Sequence, residues 1–252
     1  GIYFGNSGPS LSRVIVDYNE ATAGGGLYIG SFASPNLLNS VVGNNTASND
    51  GGGMYMNNAS TDLVNVTVVG DSAGTNGAIL YMKGSSVKTR NTILTSSGSS
   101  EFWYDPNGGS NSITLRYSGV DRAALESGVN ENGSIDWSEG NLDESLFGGG
   151  ALAECWCISS SNYCGEPRLF SAAGDYYMGS KLYDTGDPGS QYNDAENLWC
   201  VWTYSYEYAA QWPDGALVPA PDSTTVRNDM GAFGGPNGHW AAKYARHGSD
   251  WE

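Results

Sequence analysis

The chain has 252 residues, of which 39% are hydrophobic and 15% are charged, and its formal net charge at neutral pH is −16. That content is enough for one sizeable core, and no run of about twenty apolar residues exists that could span a bilayer. Residues 1–100 hold 5 acidic and 4 basic residues, whereas residues 101–252 hold 22 and 7. The acidic C-terminal part would repel the phosphate backbone and therefore argues against a nucleic-acid partner.

The first half of the chain repeats with a fixed step of 26 residues. Asn39, Asn65 and Asn91 take the same place in three similar stretches, each with short Val-, Ile- and Leu-rich runs bounded by turn residues. Such runs are typical of β-strands. A unit this small cannot bury its own apolar face, but stacked units can, with equivalent strands about 4.8 Å apart. The repeat predicts an all-β parallel β-helix over residues 1–120.

A second apolar run supports the same architecture. Residues 26–29 return as residues 53–56 and, with a small slip, as residues 78–81. The glycine triplets at 24–26 and 51–53 suit a tight bend in which a Cβ would clash.

A polar column is expected at one corner of the coils. Asn19, Asn45 and Asp71 keep the 26-residue step. We expect them to stack, to adopt left-handed backbone angles and to hydrogen-bond to the next coil.

The first residues resemble residues 26–29, so the chain begins partway through a coil. No signal peptide is evident, and either the mature protein was cut here or a preceding coil lies outside this sequence. An uncovered first coil would present unpaired N–H and C=O groups beside apolar side chains. We therefore expect Ile2, Tyr3 and Phe4 to form an assembly interface, and a head-to-tail contact of this kind would give a filament.

The acids of the solenoid are few and scattered, and we name no catalytic residue. A polysaccharide lyase would need an acidic column for Ca²⁺ and a basic residue on the same face, and a glycosidase needs two carboxyls about 5–10 Å apart. Asp50 and Asp71 fall on neighbouring coils but in different columns. The acceptor pattern for N-glycosylation occurs at Asn44, Asn58 and Asn132, and also at Asn65, which sits in the strand column.

Beyond residue 120 the repeat becomes irregular. We expect a last coil with an insertion over residues 121–164 and an acidic, aromatic-rich cap over residues 165–252 that covers the C-terminal end of the stack. The four cysteines lie in this part and predict two disulfides in an oxidising compartment, with three pairings open: Cys155, Cys157, Cys164 and Cys200. A zinc site would lack the usual Cys-x-x-Cys spacing.

Two further sets of residues in the cap are candidate binding groups. Oxygen ligands in Gly- and Pro-rich loops are of the type that Ca²⁺ prefers, although they also bond their own turn amides: Asp184, Asp187, Asp194, Asp222, Asn228 and Asp229. Aromatic residues crowd one stretch and form either cap core or a surface that binds sugars or another subunit: Trp199, Trp202, Tyr204, Tyr206, Tyr208 and Trp212.

The C-terminal part carries a resemblance to a known group of proteins. The segments Glu-Pro-Arg-Leu-Phe at 166–170, Gly-Asp-Tyr-Tyr-Met at 174–178 and Tyr-Asp-Thr-Gly-Asp-Pro at 183–188 precede Arg-Asn-Asp-Met-Gly-Ala-Phe-Gly-Gly-Pro at 227–236. This series resembles the end of bacterial secreted and cell-surface right-handed parallel β-helix repeat proteins. The chain departs from that pattern by an aromatic insertion at 198–212 and by ending without an evident anchor.

The resemblance implies a right-handed coil, which agrees with the general rule for parallel crossovers. It implies little about activity, because the fold hosts lyases and glycosidases as well as adhesins. The expected function is an extracellular or cell-surface structural or adhesive protein, with itself or a polysaccharide as partner and Ca²⁺ as a candidate cofactor. A carbohydrate-active enzyme and a sugar-binding module are the alternatives. Acids paired with Lys or Arg in a groove would favour the enzyme, and a flat aromatic strip would favour sugar binding.

Overall fold

The computed structural model describes residues 1–96, 100–138 and 140–143. In chain order the strands are β1 (Ile2–Phe4), β2 (Ser10–Ser12), β3 (Ile15–Asp17), β4 (Glu20–Ala23), β5 (Leu27–Ile29), β6 (Asn36–Gly43), β7 (Thr46–Asp50), β8 (Met54–Asn57), β9 (Ser60–Val69), β10 (Ser72–Ala73), β11 (Leu80–Lys83), β12 (Ser86–Arg90), β13 (Ile93–Thr95), β14 (Phe102–Tyr104), β15 (Asn111–Arg116) and β16 (Gly119–Val120). The helix α1 (Arg122–Gly128) follows, and then β17 (Gly133–Trp137) and β18 (Leu142–Asp143).

These strands wind into a parallel β-solenoid of about five coils with about 26 residues per coil. One sheet has the order β1-β5-β8-β11-β14, and a three-stranded sheet has the order β4-β7-β10. The largest sheet contains two faces that share the long strands β6 and β9. The parallel solenoid predicted from the repeat is therefore confirmed.

The stacking register locates the irregular step of the repeat. Tyr55 pairs with Tyr81, so the equivalent of residues 53–56 is residues 79–82 and no slip separates them. The extra residue lies one coil earlier, because Ala21 pairs with Ala47 whereas Ala23 pairs with Asp50. The prediction of a slip at residues 78–81 was therefore wrong. The additional residue lies in β7, where the register between β4 and β7 shifts by one residue.

Left-handed backbone angles recur at equivalent corners of successive coils. One corner column contains Arg13, Asn39, Asn65, Asn91 and Tyr117, with φ between 45° and 62°. The expected alignment of the three asparagines is confirmed, and their place is a bend between two faces. A second column contains Asn6, Phe32, Asn58 and Gly84, and a third contains Tyr18, Asn44 and Gly70. Asparagine and glycine dominate because they enter this region at the lowest cost.

The third column corrects one expectation. The left-handed residue is not Asn45 but its predecessor, Asn44, whose φ is 55°. Asn45 and Asp71 are buried instead, with their side chains turned into the coil. These two buried polar side chains are tolerated because each accepts a backbone N–H from the preceding coil. The N–H of Asn19 donates to Asn45 Oδ1 at 3.0 Å, and the N–H of Asn45 donates to Asp71 Oδ1 at 2.7 Å.

Inward side chains of equivalent strands form continuous apolar columns. Leu27, Met54, Leu80 and Phe102 lie above one another on the first face and are essentially excluded from solvent. Burying a side chain of this size contributes about 1.5–3 kcal/mol. The column therefore supplies the stabilisation that no single coil could supply alone.

The parallel pairing continues past residue 120, since β17 pairs with β15 and β18 pairs with β16. The helix α1 interrupts this last coil. Asp121 caps its N-terminus by accepting the N–H of Ala124 at 2.9 Å, and Leu125 is buried in the core. No helix among the described residues has the length and hydropathy of a membrane span.

A substitution at a corner should separate backbone strain from side-chain loss. We expect Asn65→Ala to unfold more easily than Asn65→Gly, by about 1 kcal/mol, because an L-residue pays about 1–2 kcal/mol for left-handed angles and glycine does not. Guanidinium denaturation of both variants measures the difference.

The neighbouring strand position Val64 provides the control. There the order should reverse, with Val64→Gly less stable than Val64→Ala by about 0.5–1 kcal/mol. Equal stabilities of the two Asn65 variants would contradict the assignment of strain to this corner.

Candidate functional site

A ladder of tyrosines runs along the outer surface of the first sheet. Tyr3, Tyr28, Tyr55 and Tyr81 stack in turn, with ring centroids 5.2, 4.9 and 4.8 Å apart and interplanar angles of 25°, 18° and 6°. The strands β1, β5, β8 and β11 place them in register. We call this set the tyrosine ladder. Trp103 follows Tyr81 in the same register on β14.

At Tyr81 the tyrosine ladder contacts the charged pair Asp105 and Lys83. The Tyr81 hydroxyl donates to Asp105 Oδ2 at 2.8 Å, and Lys83 Nζ lies 3.5 Å from the same oxygen. Burial and the bond to this carboxylate raise the pKa of Tyr81. Burial alone would raise the pKa of Asp105, but the N–H of Asn107, the Tyr81 hydroxyl and Lys83 lower it. Asp105 is thus held as a carboxylate and Tyr81 as a neutral hydrogen-bond donor.

The stacking limits what the tyrosine ladder can bind. Each inner ring has both faces covered by its neighbours, so only ring edges and hydroxyls reach the side surface. A sugar that stacks on an aromatic residue needs a free ring face. Tyr3 has such a face at the end of the stack and is 70% exposed. The ladder therefore offers a stacking surface at its end and not along its length.

The end of the first coil agrees only in part with the predicted interface. Tyr3 is exposed and Ile2 is partly buried, but Phe4 is 5% exposed and belongs to the core. Phe4 is inward-facing because successive side chains on β1 alternate between the two faces of the sheet. The expectation that Phe4 is exposed beside Ile2 and Tyr3 was wrong, while the assembly interface itself stays a prediction.

A shallow groove of about 440 Å³ crosses four coils beside the corner column that contains Phe32. Its edge is formed by four serines that keep the 26-residue step: Ser34, Ser60, Ser86 and Ser112. Phe32 and Asn58 lie at the corner itself. We call this the serine groove. The step of these serines was readable from the sequence, but serine runs in turns are common and nothing singled them out.

The acids of the solenoid do not form a catalytic or metal-binding cluster within the described ranges. No group of three His, Cys, Asp or Glu residues in this part of the chain is close enough to hold a metal ion. Asp50 accepts a bond from Asn76 Nδ2 at 3.3 Å, and Asp71 is buried beside Asn45. Asp62 points outward from β9 and is exposed.

The buried carboxyl of Asp71 is the last described member of the internal polar ladder Asn19–Asn45–Asp71. Its Oδ1 accepts two bonds from Asn45, and its Oδ2 has no partner among the described residues. Burial raises the pKa of Asp71 to about 7, and the Asn45 bonds oppose this only partly. A carboxyl in this environment is a pH-sensitive structural group.

The predicted glycosylation sites differ in accessibility. Asn58 is exposed at its corner, whereas Asn44 and Asn132 are half-buried, and Asn132 Nδ2 donates to the Pro106 carbonyl at 2.6 Å. Asn65 is buried. Asn58 is therefore the most accessible acceptor of the set.

The remaining predicted groups lie outside the described residues. These are the four cysteines, the aromatic stretch and the candidate calcium ligands, together spanning residues 155–229. Their disulfide, calcium and binding roles stay predictions.

No family model, no curated protein and no solved structure matches this chain.

Replacing a tyrosine in the middle of the tyrosine ladder should lower the free energy of unfolding more than replacing the tyrosine at its end. We expect Tyr55→Leu to destabilise the protein by about 1–3 kcal/mol, since two stacked contacts of about 0.5–1.5 kcal/mol each are lost. Tyr3→Leu, which removes one contact from an exposed ring, should cost less than half as much. Chemical denaturation of the two variants tests this, and equal losses would contradict the stabilising role of the stack.

Asp71 should make the stability of the solenoid pH-dependent. Its pKa in the folded protein, about 7, exceeds the value of an unfolded Asp, so the folded state binds more protons. Its stabilising effect is complete below the unfolded pKa and is lost as pH rises through about 7. We expect the unfolding free energy to fall by about 1.4 kcal/mol for each pH unit between the unfolded pKa near 3.8 and the folded pKa of about 7, and to level off above that.

The variant Asp71→Asn should remove this dependence and be more stable than the wild type at pH 8. Asn45 Nδ2 donates to the Val16 carbonyl, 29 residues earlier, and an amide at position 71 would face the Val42 carbonyl in the same way. Asp62→Asn, on the outer surface, is the control and should leave the slope unchanged. An Asp71→Asn variant whose stability falls as steeply as that of the wild type between pH 4 and 7 would contradict the role of Asp71.

Proposed function

We propose that this chain is a non-catalytic structural or adhesive protein of the extracellular space or cell surface, which assembles through the end of its first coil. The observation that carries the proposal is that one side of the first coil is uncovered. Its four strands, β1 to β4, each have a strand partner on one side only among the described residues. Ile2 and Leu11 are partly buried, whereas their equivalents Leu27 and Leu37 are fully enclosed.

The chemistry of this end suits a further coil. Backbone N–H and C=O groups at a strand edge pair readily with another strand. The free face of Tyr3 can receive one more aromatic ring at the spacing of the tyrosine ladder. The occupant that we propose is the cap or terminal segment of a second copy, which would extend sheets and ladder together. Because the contact is head-to-tail, it does not close and gives a filament.

The wider assignment follows the resemblance of residues 166–188 and 227–236 to bacterial secreted right-handed parallel β-helix proteins. It supports a right-handed coil and an extracellular location. The even number of cysteines, all between residues 155 and 200, supports a disulfide-stapled cap, and the acidic residues of that cap support Ca²⁺ as a cofactor. A sugar-binding role is the second candidate, and the serine groove favours it. No arrangement in the described part of the chain specifically favours an enzyme.

Association through the first coil can be measured with residues 1–252. We expect sedimentation velocity to show oligomers that grow with concentration, and electron microscopy to show filaments. Tyr3→Lys places a charge on the exposed end of the ladder and should weaken association by about tenfold or more. Ser48→Lys, on the exposed side of the second coil, is the matched control and should associate as the wild type does.

Two results would defeat this proposal. One is a wild-type protein that stays monomeric at all concentrations. The other is a Tyr3→Lys variant that associates as strongly as the wild type, since the contact would then lie elsewhere.

A further inference from the structure

The serine groove presents a row of hydroxyls along the solenoid axis. Ser60, Ser86 and Ser112 pair in register on β9, β12 and β15, and Ser34 precedes β6 at the same step. Their side chains make no hydrogen bond to other protein groups in the described part of the chain, and the strand spacing places neighbours about 4.8 Å apart. Ser85, in contrast, uses its hydroxyl within the fold by donating to the Lys83 carbonyl at 2.9 Å. The outer serines are therefore available to a ligand.

Phe32 stands at one end of this row in an unusual state. Its φ is 63°, and its side chain is 81% exposed. The equivalent positions hold Asn6, Asn58 and Gly84, which are residue types that adopt left-handed angles at low cost. A bulky residue in this region is an outlier, and exposure means that packing in the fold does not compensate for it. Backbone strain that no packing interaction offsets is characteristic of functional positions.

The lining of the groove restricts the ligand. None of its eleven residues is ionisable. Lys88 and Asp62 follow Ser86 and Ser60 on the same outer faces, but they are of opposite sign and pair in register, so neither charge dominates beside the groove. The row of hydroxyls instead suits a neutral molecule with hydroxyl groups, and the exposed ring of Phe32 suits the apolar face of a sugar.

The period of the row distinguishes between extended polymers. An extended peptide advances by about 3.3 Å per residue, which does not match a hydroxyl step of about 4.8 Å. One unit of an extended glycan advances by about the same distance as one coil. We infer that the serine groove binds a linear neutral glycan, with about one sugar unit per coil and one ring stacked on Phe32. This inference is independent of assembly through the first coil.

The decisive variant is Phe32→Asn, which installs the residue found at the equivalent positions 6 and 58. Because it relieves the strained backbone, we expect its melting temperature to rise while its affinity for glycans falls by about tenfold or more. The matched control is Tyr18→Asn. Tyr18 is also an exposed aromatic residue, at 61%, on a left-handed corner whose next coil holds Asn44. It should gain stability in the same way and bind as the wild type does.

Binding is measured by calorimetry with cello-oligosaccharides and a soluble linear xylan, and polygalacturonate serves as the charged comparator. We expect the neutral chains to bind and polygalacturonate to bind at least tenfold more weakly. Ser86→Val, which replaces the hydroxyl with the β-branched side chain that strands favour, should lower the affinity with no loss of fold.

Several results would overturn the inference. These are the absence of binding to every neutral chain, equal binding of polygalacturonate, and an unchanged affinity in Phe32→Asn. Loss of self-association in Phe32→Asn without any glycan binding would show that the groove is instead a contact between copies. The Tyr3→Lys variant should still bind glycans, which separates this site from the assembly contact.

Discussion

The solenoid depends on one constraint, which is that every coil must turn where the coil beside it turns. Equivalent strands are hydrogen-bonded in parallel register, so a bend at one level has to be repeated at the next. The repeated bend is a left-handed backbone, and φ is positive at Asn39, Asn65 and Asn91 in one column. A slip by one residue would turn every side chain to the opposite face. The apolar core, the tyrosine ladder and the serine groove all follow from this register.

The interior of one corner shows how the same register shapes energetics. An amide can accept a backbone N–H from one coil and donate to a carbonyl of another, as Asn45 does. Asp71 occupies the next level of that ladder and keeps only the accepting half of this pattern, which leaves Oδ2 without a partner among the described residues. Replacing an amide by a carboxyl in a buried column converts a hydrogen-bond ladder into a pH-dependent element. Stability and protonation are coupled here because the residue cannot turn to solvent without breaking the stack.

The step of 26 residues was enough to predict the parallel coils, because repetition of apolar runs is a direct consequence of stacking. Finer features were not predictable in the same way. The apolar pattern predicted a slip at residues 78–81. Because Ile79, Leu80 and Tyr81 are all apolar, the pattern alone allows two alignments of this run with residues 53–56. The pairing of Tyr55 with Tyr81 decides between them. The left-handed corner was placed one residue late because both Asn44 and Asn45 are suited to it. The tyrosine ladder was missed although Tyr28 and Tyr55 recur, since a recurring residue does not show which side of a strand it faces.

In a repeat protein the exceptions to a column are more informative than the column itself. Asn and Gly at the left-handed corners need no explanation beyond backbone geometry. Phe32 and Tyr18 occupy such corners, each in its own column, at an energetic disadvantage. An exception that is buried can be compensated by packing, but one that is exposed has no such compensation within the fold. Phe32 adjoins a row of free hydroxyls, and Tyr18 does not line that groove. This difference is why the two residues, both with a positive φ and both exposed, lead to different expectations for binding.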